Sequence, residues 1–234
     1  MIAHLRYIFF DLDDTLLDHK RAEKQSLLAC QRELEMLHQV DPDLLVQTYR
    51  SINGSLWDQY SKGELDRASL SRLRFERTLT SLDLREADFE AFRQVYMSKY
   101  RLHWDWVPGA KMSWEKIRAE WPVGIITNGF SETQKEKFQR FGFDLTADSL
   151  VISEDIGVMK PHPHIFAHAA NCAKISPEQI LYVGDSPQTD MVGAAASGFR
   201  TAWFNQHAQA GHEAIPADFV FDAFEQLDAW LGLP

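Results

Sequence analysis

The hydrophobic pattern divides the chain into two kinds of segment. Tyr7-Ile8-Phe9-Phe10 is an unbroken apolar run that stops at Asp11, as a strand reads when both its faces are covered in a parallel sheet. The same pattern returns in Val123 to Ile126 before Thr127, Leu150 to Ser153, Ile180 to Val183 before Gly184-Asp185, and Thr201 to Phe204 after Gly198. Between these runs, Thr133 to Phe141, Pro163 to Ala173 and Thr189 to Ser197 place apolar residues at helical spacing. Short buried strands alternating with helices predict βαβ units, hence an α/β fold with a three-layer, Rossmann-like parallel sheet.

Residues 19–107 break that rhythm, because they hold no strand-like run and their apolar positions recur at helical intervals. They predict an all-helical domain inserted into a core made of residues 1–18 and 108–234. Leu27, Cys30, Leu34 and Leu37 fall on one predicted helical face, and Asp41-Pro42 reads as a cap and first-turn proline ahead of Leu44, Leu45 and Thr48. Leu70, Leu73 and Arg77, then Phe89, Phe92, Tyr96 and Tyr100, continue the pattern until Pro108-Gly109 punctuates the return to the core.

Composition narrows the class of function. The 234 residues are 45% hydrophobic and 25% charged, which suits a folded globular chain and excludes fibrous or largely disordered ones. With 24 Lys and Arg against 34 Asp and Glu the net charge is −10, so a nucleic-acid polymer is not an expected partner. No apolar run approaches the roughly 20 residues of a membrane span, and Met1 to Phe10 has no leader pattern; a cytoplasmic location without a membrane partner is expected. Cys30 and Cys172 stand apart, with neither metal-ligand spacing nor a disulfide framework, and are expected as small packing residues.

In open parallel sheets, ligands bind beyond the carboxyl ends of the strands. There the chain carries Asp11 and Asp13, Thr127, a loop Lys160, and Asp185 with Asp190. Asp11-Leu12-Asp13 offers two carboxylates to one site: Asp11 as a nucleophile at phosphorus, Asp13 as an acid and base; the Asp13-Asp14 pair reads equally well as a turn or cap. Asp185 ends a strand and, beside Asp11, could hold Mg²⁺, while Asp190 also suits a helix N-terminus. Thr127-Asn128-Gly129 could wrap phosphate oxygens or be an ordinary turn, and Lys160 could offset phosphate charge or lie on the surface. His162 and His164 lack further ligands, and Trp104 and Trp106 read as packing near the domain junction. Trp57 and Tyr60 could stack on a base or pack the helical domain.

The order strand-DxD, strand-T, loop Lys-Pro, strand-GDxxxxD resembles the haloacid dehalogenase superfamily along the whole chain. The resemblance implies Asp11 as nucleophile, Asp13 as acid and base, and phosphate binding by Thr127, Asn128, Gly129 and Lys160. It further implies Mg²⁺ on Asp11, the Asp13 backbone carbonyl and Asp185, with Asp190 behind them, and a helical cap that closes over substrate. Asp13 itself argues against dehalogenation, since the family's dehalogenases lack that residue. Gly124 to Phe130, Val151 to Pro161 and, in the insert, Leu56 to Gly63 are similar to the bacterial house-cleaning pyrimidine 5′-nucleotidases. A phosphomonoesterase acting on a small phosphate ester, a nucleoside 5′-monophosphate, is therefore expected, with Trp57, Tyr60 and Phe130 as candidates for reading the base. The alternatives are a sugar-phosphate phosphatase, a phosphosugar mutase, a dehalogenase, or a binding protein that keeps the fold without activity.

Overall fold

The computed structural model describes residues 4–143, 149–206 and 215–234. In chain order these form β1 (Tyr7–Phe10), α1 (His19–Glu33), α2 (Pro42–Ser61), α3 (Arg67–Ser81), α4 (Phe89–Leu102), α5 (Ala110–Glu120), β2 (Val123–Thr127) and α6 (Ser131–Arg140). There follow β3 (Leu150–Ile152), α7 (Ser153–Ile156), α8 (Pro163–Ala173), β4 (Ile180–Gly184), α9 (Val192–Ala196), β5 (Arg200–Phe204), β6 (Phe219–Phe221) and α10 (Phe224–Leu231). The chain separates into two compact units, residues 1–18 with 106–234, and residues 19–105. The second crossing falls at Asp105-Trp106, two residues before the position the sequence pattern suggested. Trp106 bridges to Leu17 and packs on Phe141 and Phe143 at ring distances of 5.7 and 5.1 Å, all within the first unit. Trp104 instead packs on Tyr100 within the second, so each tryptophan serves its own unit.

The first unit is a parallel sheet in the order β3-β2-β1-β4-β5-β6. β1 is central because its four residues are all buried, and it pairs with β2 on one side and β4 on the other. Its alternate side chains feed two cores. Ile8 and Phe10 join Trp114, Ile117 and Phe224 on one face, whereas Tyr7 and Phe9 join Phe166, Tyr182 and Trp203 on the other. The strand order changes direction between β1 and β4, so the carboxyl ends of these two strands border the crevice where such sheets bind ligands.

The second unit is the helical insert. Asp41 accepts a hydrogen bond from the Leu44 N–H at 2.8 Å and Pro42 opens α2, as the sequence pattern predicts. Its core is aromatic: Tyr49, Phe75, Phe92 and Tyr96 are all buried and stack through ring contacts of 5.2 to 5.7 Å. One expectation fails here. Leu34 and Leu37 do not continue the face of Leu27 and Cys30, because α1 ends at Glu33 and a separate 3₁₀ turn carries Leu37 inward. Among the described residues no helix is long and apolar enough to cross a membrane.

Candidate active site

Asp11 is the first residue beyond β1, and its N–H donates to the Val183 carbonyl at 2.8 Å, so the β1–β4 ladder fixes its position. Its carboxylate is buried. The chain then turns tightly: the Leu16 and Leu17 N–H groups both donate to the Leu12 carbonyl, and Asp14 takes a left-handed φ of 66°. Asp is one of the few residues that tolerates this backbone. The turn role thus belongs to Asp14, which leaves the Asp13 carboxylate for the site. Thr15 closes the turn by donating its hydroxyl to Asp11 Oδ2 at 3.2 Å.

Lys160 is buried and spends all three ammonium hydrogens inside the protein, on Asp11 Oδ1 at 2.5 Å, Asp190 Oδ1 at 2.7 Å and the Tyr182 hydroxyl at 2.8 Å. It therefore acts on the Asp11 carboxylate and turns no further N–H outward. Burial would lower the lysine pKa, but Asp11 and Asp190 together hold it above its usual range. Burial pushes Asp11 up to about 7; Asp190 and Asp13 push the same way and Lys160 opposes them.

The segment after β2 contributes differently from what the sequence suggested. The Asn128 side chain clamps the Lys160 backbone, accepting from its N–H at 2.8 Å and donating to its carbonyl at 3.0 Å. The Gly129 N–H donates to Ser153 Oγ at 3.3 Å. Both contacts hold the loops around Lys160, and the buried Thr127 hydroxyl accepts from Gln134 Nε2 at 2.6 Å.

Asp190 lies in a π-helical turn at Pro187–Met191, where the sequence predicts the start of one continuous helix. Ser186 accepts from the Thr189 N–H, and Asp190 Oδ2 returns the favour by accepting from the Ser186 N–H at 3.0 Å, so this end is capped reciprocally. Its other oxygen serves Lys160 and Tyr182. Asp185 sits on the same loop, its backbone carbonyl held by the Trp203 indole N–H at 2.9 Å. One carboxylate oxygen from each of Asp11, Asp185 and Asp190 lies within 4.8 Å of the others. Three carboxylates thus cluster where one buried ammonium pairs with two of them, Asp11 and Asp190, an excess of negative charge that suits a hard divalent cation.

Gly184 makes this packing possible. A Cβ there would stand 2.5 Å from Asp190 Oδ2 and 2.7 Å from its Cγ, and Asp190 is pinned by three partners. Gly184→Ala is expected to cost about 1–3 kcal/mol by overpacking, read as a lower thermal midpoint; an unchanged midpoint would show that Asp190 is free to shift.

Two site residues escaped the sequence reading. Gln134 and Lys137 of α6, both buried, reach Asp13: Lys137 Nζ donates to Oδ1 at 2.5 Å and Gln134 Nε2 to Oδ2 at 2.9 Å. Phe130 is half-buried at the start of α6, and Trp57 and Tyr60 are half-buried on α2, packed edge to face at 5.6 Å. His162 and His164 are exposed; Cys30 is buried and Cys172 half-buried.

A parallel sheet with carboxylates at the ends of adjacent strands, and a helical unit inserted after the first strand, defines a class of α/β hydrolases. The chain belongs to the haloacid dehalogenase-like hydrolases, whose family model matches residues 5–198. It is 31% identical to the pyrimidine 5′-nucleotidase YjjG of Escherichia coli (strain K12), over 96% of this chain and 97% of that protein. It is 30% identical to the glyceraldehyde 3-phosphate phosphatase of Pyrococcus furiosus, over 97% and 92%. Among solved structures, the magnesium-bound HAD-hydrolase YfnB of Bacillus subtilis superposes with a TM-score of 0.83 at 27% identity, covering 98% of this chain and 99% of that one.

Proposed function

We propose that this protein is a Mg²⁺-dependent phosphomonoesterase that works through an aspartyl-phosphate on Asp11, with pyrimidine nucleoside 5′-monophosphates as substrates. The observation that carries the reading is the contrast between two carboxylates two residues apart. Asp11 is buried against Lys160, while the Asp13 side chain is 24% exposed and held by a different cation. Carboxylates in unlike environments suit unlike roles.

In the first step an Asp11 oxygen attacks phosphorus, the ester P–O bond breaks, and Asp13 gives its proton to the departing alkoxide. In the second, Asp13 takes a proton from water as the water oxygen attacks phosphorus, freeing Asp11 and inorganic phosphate. Lys160 keeps Asp11 oriented and favours its ionised form, and Thr127 donates its hydroxyl to a phosphate oxygen. Asp11, Asp185 and the Asp13 carbonyl would hold Mg²⁺, with Asp190 supporting the Asp185 loop through the Ser186 N–H. The ion supplies the positive charge that lets a carboxylate approach a phosphate dianion.

The substrate class rests on the nucleotidase relatives in Escherichia coli and Streptococcus pneumoniae, named for pyrimidine 5′-nucleotidase activity. Phe130, Trp57 and Tyr60 are proposed to read the base. The Pyrococcus furiosus relative favours a second reading, a sugar-phosphate phosphatase. Phosphate release should be measured across nucleoside monophosphates and sugar phosphates, with Mg²⁺ and with EDTA. The expected result is highest kcat/KM on pyrimidine nucleotides and background release in EDTA. Preference for a sugar phosphate would transfer the assignment to the second reading, and full activity in EDTA would remove the metal.

A further inference from the structure

Gln134 and Lys137 are polar side chains buried on the inner face of α6. They stand three residues apart on α6, hence on one helix face, and both are about 1% exposed. A buried lysine is expensive unless paired, and an apolar side chain would pack this face as well. Both end on the same carboxylate, one on each Asp13 oxygen. Gln134 does more, since its Nε2 also donates to Thr127 Oγ1 at 2.6 Å. Both amide hydrogens are then used, and the amide cannot be reversed without turning its oxygen toward the Asp13 carboxylate. Thr127 must accept from Gln134, so its own hydrogen remains to be donated, as a phosphate oxygen requires.

Gly129 belongs to the same device. A Cβ there would meet Gln134 at 2.9 Å from Cδ and 3.0 Å from both Cγ and Nε2. The glycine leaves room for the glutamine, which two hydrogen bonds hold in place.

We infer that Gln134 and Lys137 are positioning residues: they clamp the Asp13 carboxylate from both oxygens and lock it in register with the Thr127 hydroxyl, with Gly129 providing the space. The inference rests on the proposed role of Asp13 as acid and base. A loosened Asp13 should slow the first step for a leaving group that needs a proton and spare that step for one that does not, while water attack in the second step, common to both, slows alike. Misplacing a catalytic group by about 1 Å costs on the order of 10²-fold.

Lys137→Met, Lys137→Arg, Gln134→Met and Gly129→Ala should be compared with wild type on uridine 5′-monophosphate and p-nitrophenyl phosphate. For Lys137→Met and Gln134→Met, single-turnover release of uridine is expected to slow by about 10²-fold with KM little changed, while the burst of p-nitrophenolate slows several-fold at most. Lys137→Arg should restore most of the loss, and Gly129→Ala should resemble Gln134→Met. Equal slowing of leaving-group release on both substrates, or none, in a folded variant would overturn the inference. Wild-type protein inactive on both esters would instead remove the proposed function. A crystal structure of Gln134→Met decides the geometry independently of turnover: the Asp13 carboxylate should leave its place between the two residues, and its persistence there would equally overturn the clamp.

Discussion

Asp11→Asn should reduce phosphate release to background while the protein stays folded. The amide can neither form the acyl phosphate nor match a carboxylate as a Mg²⁺ ligand, and the loss of a covalent nucleophile removes the reaction path itself. Folding should survive because Lys160 keeps Asp190 at 2.7 Å and Tyr182 at 2.8 Å, so its buried charge remains compensated. The substitution also removes a carboxylate that burial disfavours. Phosphate release and a thermal melt check the two halves of this result. A folded Asp11→Asn protein with near-native turnover would exclude Asp11 as the nucleophile.

Lys160→Met should have the opposite profile, with stability lost first. It leaves Asp11 and Asp190 facing each other without a cation in a buried site, and breaking such a pair from one side costs about 3–5 kcal/mol. For a chain of this size that lowers the thermal midpoint by on the order of 10 °C. Adding Asp190→Asn to Lys160→Met should recover part of the loss, since it removes one stranded charge. Mg²⁺ should stabilise Lys160→Met more than wild type, because it becomes the remaining cation that carboxylates there can share. A midpoint within about 2 °C of wild type, measured in EDTA, would mean that water reaches these carboxylates.

Lys137 complicates any test of Asp13. The lysine is buried and Asp13 is the more open partner, with side-chain exposures of 2% and 24%. Replacing Asp13 strands a buried ammonium, so a stability loss in Asp13→Asn is to be separated from a catalytic one by pairing it with Lys137→Met.

Much of the molecule is written locally in the chain. The strands from Tyr7, Val123 and Ile180 announce themselves because burial on both faces demands unbroken apolar runs, and polar residues end them where the sheet meets the ligand crevice. Asp41 ahead of Pro42 marks a helix start through a bond to a residue three positions on. The order of Asp11, Asp13, Thr127, Lys160, Asp185 and Asp190 was legible for the same reason, as each follows a recognisable strand or loop. β6 was not read from the pattern: Phe219–Phe221 is as short as β3, and with Val220 exposed it is not a fully covered strand like β1, β2 and β4.

The partners of Asp13 lay beyond the reach of pattern altogether. Ser131 to Arg140 is polar at nearly every position, and Lys137 stands two residues from Lys135, which is exposed and pairs with Asp155 at 3.0 Å. Residues two apart on a helix point to opposite sides, and although Phe138 and Phe141 mark the inner side, they do not say that a lysine beside them is buried against a carboxylate. Chain order alone determined which chemical groups reach the crevice, since strand ends are fixed by local hydrophobic pattern. Only the packing of α6 decided how Asp13 is held, because a lysine's burial depends on a carboxylate 124 residues away rather than on its neighbours in sequence.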